Sequence, residues 1–183
     1  MTTPVAAEPR PHKPTPEQFK SIADTLAASL NERGLISSAV SVEIFSLQIA
    51  RVISNLGPFA DGYTITRRLE DRYGWEGDLQ IAEALDDFSD LRTLEMRHAQ
   101  AEWAARNDVK PPFTVGSRVS FGTEMREKGE ITGVSKYTPA AYEIAVDGDA
   151  DAAPPHNRRR IVHFENVAAI DAAEAAAPAE GAR

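Results

Sequence analysis

The sequence predicts a segregated α+β chain: an N-terminal helical domain of three to five helices, then a small antiparallel β-barrel. Three observations carry this expectation. From residue 15 to residue 108 apolar side chains recur every three or four positions, the period of a helix face. After Pro111-Pro112 they alternate with polar neighbours, the period of a strand. Four or five such runs then crowd into fewer than 60 residues, where closing the sheet would hide its edges. The domain boundaries follow: residues 1–14 a disordered proline-rich arm, 15–108 an acidic helical domain, 113–171 the barrel, and 172–183 a disordered alanine-rich tail.

Thr15-Pro16-Glu17-Gln18 opens the first helix. A threonine is placed to cap, proline suits the first helical position, and glutamine sits where it can return a bond to the cap. Phe19, Ile22, Ala23, Leu26 and Leu30 form its inward stripe, and Gly34 ends it. A second helix is expected over 38–55. Val42, Phe45, Ile49, Val52 and Leu56 make one stripe, and Ile44, Leu47 and Ile53 widen it almost all the way round. A helix apolar on most sides is central in its domain or covered by another subunit. Thr64 is the expected cap of a shorter helix with Ile65, Leu69 and Tyr73 inward and Gly74 at its end. Residues 78–107 read as one long helix, or as two with a break near Phe88-Ser89. Ile81, Leu85, Phe88, Leu91, Leu94, His98, Ala101 and Ala105 lie along its apolar stripe.

In the second part, Val115, Val119 and Phe121 alternate with polar residues, as do Ile131 and Val134, then Tyr142, Ile144 and Val146, then Val162 and Phe164. Val167 and Ile170 continue inward, and Gly133 interrupts its strand as a bulge would.

The segments VGSRVSF, KGEITGVS, YEIAVDG and RRIVHF resemble the strands of SH3-like small barrels of the Tudor and KOW type. The resemblance covers about the last third of the chain. It implies a binding module that takes peptides, modified side chains or nucleic acid at one rim. Two departures stand out. The loop from Asp147 to Arg160 is long, and no aromatic cage is visible, because Tyr142 and Phe164 fall on the inward phase and leave only Tyr137 and His163 outside.

Charge separates the two parts. Residues 17–108 carry 9 basic and 16 acidic side chains, so this part repels a phosphate backbone; residues 109–170 carry 8 of each and are balanced. Arg158-Arg159-Arg160 is the one basic cluster. It either grips an acidic partner or balances nearby carboxylates, and strand alternation would split Arg159 from the other two. Lys128, Lys136 and Tyr137 would complete a partner-binding face.

Other constellations are weaker. Asp147, Asp149 and Asp151 have calcium-loop spacing, but Ala152 and Arg158 stand where that loop needs glycine and glutamate. Glu83, Asp86, Asp87 and Asp90 read as a solvated helix face, His98 as a core or interface histidine, and Trp75 and Trp103 as packing residues. No histidine pair has metal-ligand spacing, and no phosphate loop or nucleophile elbow is present. No catalytic residue, metal or cofactor is therefore expected.

The opening MTTPVAAEPRPHKPTP lacks the apolar segment of a secretory signal, no run is long enough to span a membrane, and there is no cysteine. A cytoplasmic protein is expected. Abundant alanine, and arginine in excess of lysine, suggest a bacterial or phage source. The expected function is non-catalytic binding, as an adaptor or regulatory accessory protein that recognises a protein partner at the barrel rim. A nucleic-acid-associated protein and a structural assembly protein such as a virion component remain alternatives. Homo-oligomerisation through the helical domain also stays open.

Overall fold

The capping box at Thr15 forms as its residue types require. Gln18 N donates to Thr15 Oγ1 at 3.3 Å, and Thr15 N donates to Gln18 Oε1 at 2.8 Å, satisfying amides that a helix start leaves unpaired. The computed structural model describes residues 8–36, 41–147 and 159–170. The described helices are α1 (Pro16–Glu32), α2 (Val42–Ile53), α3 (Gly62–Tyr73), α4 (Leu79–Leu85) and α5 (Phe88–Arg106). The strands are β1 (Arg118–Phe121), β2 (Glu127–Val134), β3 (Ala141–Val146), β4 (Arg159–His163) and β5 (Val167–Ala169). The chain is thus α+β, helices first. It forms two compact units, Pro11–Ala99 on one side of the division and Met1–Arg10 with Gln100–Arg183 on the other. No helix among the described residues is long and apolar enough to cross a membrane.

In the helical unit Ile22, Leu26 and Leu30 of α1 bury against Ile49 and Ile53 of α2, Ile65 and Leu69 of α3, and Leu85 and Phe88. α3 and α4 approach closely because residue 62 is glycine: a Cβ there would stand 1.9 Å from the Ala82 carbonyl oxygen. Several expectations need correction. The third helix is capped by Asp61, which accepts from Thr64 N at 2.7 Å, rather than by Thr64. Of the two readings left open for residues 78–107, the broken one holds: they form two helices, with Asp86 closing α4 and also accepting from Gly62 N at 2.6 Å. The second helix is inward on one side only, since Ile44 and Leu47 stand 47% and 43% exposed. His98, Ala101 and Ala105 are exposed, and Leu94 is 48% exposed, whereas Trp103 is buried. Histidine and alanine carry little apolar area, so their spacing does not fix the phase of α5; the bulk of Phe88 and Trp103 does.

The second unit holds a five-stranded antiparallel sheet in the order β4-β3-β2-β1-β5. Gly133 sits at a register shift between β2 and β3, where a bulge was expected. Val119, Phe121, Ile131, Tyr142, Ile144, Phe164 and Val167 form the inner face. Val115 and Val134, expected inward, are 63% and 44% exposed: Val115 precedes β1, and Val134 is the last residue of β2, pairing with Tyr142 just past the register shift at Gly133. The sheet is open, with β4 and β5 as its two edges. It is nonetheless strongly curled. Four strand spacings of about 4.8 Å would separate the edges of a flat sheet by about 19 Å. His163 and Val167, on opposite edges, are joined through the 3₁₀ turn Phe164–Asn166 by four peptide units, a reach of about 14 Å. The sheet must therefore bend its edges toward each other.

Candidate functional site: the groove at the open seam

Directly paired residues in an antiparallel ladder share a face. The row Arg160–Ile144–Ile131 is therefore on the inner face, and the row Arg159–Ala145–Glu130–Arg118 is on the outer face. Arg159 and Arg160 point to opposite sides, as alternation demands, so the basic cluster does not act as one patch. Arg158 lies outside the described residues. Arg159 pairs with Glu143 at 3.3 Å on the outer face, and Arg160 reaches Glu127 at 3.8 Å on the inner one.

Arg160 stands at a groove of about 490 Å³ near the 3₁₀ turn Phe164–Asn166, between β4 and the β1–β2 connection. Phe121, Met125 and Val162 supply its apolar lining, Ile161 borders it from the outer-face row, and Glu127 and Arg160 supply one charge of each sign. Met125 is 41% exposed, so part of the lining is open to solvent. The connection is bent sharply. Glu124 and Met125 carry φ of 55° and 54° without being glycine, after Gly122 at 78°. Each such residue costs about 1–2 kcal/mol of backbone strain, and strain of this kind collects at working surfaces.

The remaining expected site residues divide between the two ends of β2. Lys128 pairs with Ser120 at the groove end. Lys136 and Tyr137 follow Val134 at the other end, the full length of β2 away, and Tyr137 is 75% exposed. Of the face expected from Arg158, Arg159, Arg160, Lys128, Lys136 and Tyr137, the five described residues therefore do not share one surface. Asp147 is occupied by the Arg118 guanidinium, with Nη1 to Oδ1 at 2.6 Å; Asp149 and Asp151 lie outside the described residues. Among the described residues no group of three or more histidines and carboxylates is placed to hold a metal.

Sequence reasoning missed a second constellation in this unit. Arg10 donates from Nε to Glu165 Oε1 at 2.5 Å and from Nη2 to Oε2 at 3.1 Å. It also donates from Nη1 to the Pro139 carbonyl and from Nη2 to the Ala140 carbonyl, each at 2.9 Å. Its guanidinium carbon lies 4.7 Å over the Trp103 ring. The arm expected to be disordered over 1–14 is thus anchored at Arg10, whose side chain is only 9% exposed. Burial and the Arg10 charge lower the His163 pKa, outweighing the opposite pull of Glu165. Burial raises the Glu165 carboxyl, but hydrogen bonds from Arg10 and the backbone, with the charges of Arg10 and His163, bring it below its ordinary value.

Comparison with protein-family models, with curated proteins and with solved structures finds no match for the chain.

Proposed function

We propose that the chain is a non-catalytic binding protein, an adaptor or regulatory accessory protein. In this reading its C-terminal unit is an SH3-like small barrel, and it takes an extended segment of a protein partner at the seam groove. The barrel reading is supported by the strand order, by the curl that brings β4 and β5 together, and by the short turn between them. The observation that carries the function is the groove itself. Its apolar walls and single Arg160–Glu127 pair suit a peptide with apolar side chains and a polar backbone, and β4 borders it as an edge strand.

Panning a random peptide library on the immobilised chain tests this reading. Selected peptides should perturb the amide resonances of Gly122, Ile161 and Val162. Met125→Asp should weaken their binding at least about tenfold, the cost of placing a carboxylate against an apolar contact. Peptides that bind without touching those amides, or a library that yields no binder, would remove the groove from consideration.

One observation favours nucleic acid as a second reading: Tyr137 is exposed beside Lys136, where a base could stack. Tyr137→Ala would then abolish oligonucleotide binding and leave peptide binding intact.

A further inference from the structure

The Arg10 constellation has the make-up of a ligand site. Four of the five guanidinium N–H groups are matched, two by the Glu165 carboxylate and two by main-chain carbonyls, while the Trp103 ring covers one face. The seat is assembled from three separate parts of the C-terminal unit: the end of α5, the β2–β3 connection and the turn after β4. The connection holds Ala140 at a φ of 50°, a conformation alanine avoids. In that conformation the Ala140 carbonyl accepts from both Phe164 N, at 3.0 Å, and Arg10. Strain is thus spent at the seat.

What fills the seat is an extended piece of the arm. Glu8 and Pro9 are exposed, and no residue of 8–13 belongs to the apolar core of the sheet. Besides Arg10, its contacts include Trp103 Nε1 donating to the Glu8 carbonyl at 2.8 Å, a 3.4 Å bond from Glu8 N to Asn107 and a 3.8 Å Arg106–Glu8 pair, and Pro11 is engaged as well. Glu165 is 44% exposed, so water can solvate it when the guanidinium leaves. The seat has one main determinant, an arginine side chain, on an extended segment with proline on both sides.

We propose that this seat is a binding site for an arginine-bearing extended peptide, and that residues 8–11 occupy it in cis as an intramolecular competitor. A tethered occupant acts at a local concentration on the order of millimolar. An incoming peptide must outcompete it, so the arm sets the threshold for binding. The site is separate from the seam groove and does not depend on it.

The test uses the full chain with Trp75→Phe, which leaves Trp103 as the only tryptophan. The probe is the capped hexapeptide Glu-Pro-Arg-Pro-His-Lys, the sequence of residues 8–13. Arg10→Ala should empty the seat, and the probe should then change Trp103 emission saturably, with an apparent affinity at least about tenfold above that for the chain with Arg10 intact. The probe with lysine in place of arginine should bind at least about tenfold more weakly, because an ammonium cannot reproduce the fork. Glu165→Gln, added to Arg10→Ala, should weaken binding similarly. A folded Arg10→Ala chain that shows no saturable change up to about 10 mM probe would overturn the proposal, as would equal affinity with and without Arg10 or equal affinity for the lysine probe. Should Arg10→Ala fail to fold, Arg10→Lys takes its place in the same titration. If neither folds, the arm is a structural strut and the proposal is wrong.

Discussion

Tyr142 shows how much one buried side chain can hold. It is fully buried, and its hydroxyl accepts from Phe113 N at 2.7 Å and donates to the Phe113 carbonyl at 2.9 Å. Tyr142→Phe keeps the ring contact with Phe164 but strands a donor and an acceptor, at a cost of about 1–3 kcal/mol. A fall in the denaturation midpoint of the C-terminal unit checks this; an unchanged midpoint would mean that water takes over both groups. His163 and Glu165 make a second prediction. The folded imidazole binds its proton more weakly than the unfolded one, so its stabilising contribution is complete above about pH 6.5 and declines as pH falls below that. Glu165 acts in the same direction lower down, its contribution present above about pH 4.3 and lost as pH falls through its depressed value. The charged groups facing the pair are Arg10 and each other. The thermal midpoint should therefore drop between pH 8 and pH 5, and His163→Asn should flatten the upper part of that drop. A midpoint that rises on acidification would contradict the assignment. The inward phase of Tyr142 and Phe164 was legible in the sequence because strand alternation is local. Arg10 was not, because Glu165 and Pro139 lie 155 and 129 positions away and nothing in a chain of prolines announces them.

Among the elements, what is local in sequence was read and what depends on contact was not. The Thr15 box needs only four consecutive residues, and it formed as read. The cap of α3 was misplaced by three residues, since Asp61 and Thr64 are both capping types and only the packing of Gly62 against Ala82 decides between them. That packing gives the element-scale prediction. In Gly62→Ala the new methyl would stand 1.9 Å from the Ala82 oxygen and 2.7 Å from Asp86 N, both backbone atoms that cannot rotate away. Forcing α3 and α4 apart should destabilise the helical unit by about 2–3 kcal/mol, the range of overpacked cores. Asp86→Ala should cost less, about 1–2 kcal/mol, because it removes only the bond to Gly62 N. Chemical denaturation of the two variants ranks them; the reverse order would show that the polar bond, not the close approach, holds α3 on α4.

At the scale of the molecule, the change of period at Pro111-Pro112 was enough to read helices first and strands after. Closure was not legible, because it rests on how far the edges of a five-stranded sheet curl, a property of register and turn length together. Charge is the whole-molecule property that most constrains partners. The chain carries a formal net charge of -8, and residues 17–108 hold 9 basic against 16 acidic side chains. Among the described residues of the second unit, four arginines are already matched: Arg118 by Asp147 and Arg159 by Glu143 on the outer face, Arg160 by Glu127 on the inner one, and Arg126 by Glu124 before β2. Exposed pairs of this kind contribute at most about 1 kcal/mol each to stability, but they leave no concentrated positive field. A phosphate backbone would have to displace these carboxylates one by one, on a chain whose net charge is itself negative. Binding of 20-mer single- and double-stranded DNA, followed by fluorescence anisotropy from 50 to 200 mM salt, should therefore be weaker than a Kd of about 10⁻⁴ M near physiological salt, the weak end of non-specific association. A steep loss of a much tighter affinity across that range would reveal several released counterions. It would turn the Tyr137 end of the sheet, rather than the seam, into the working surface.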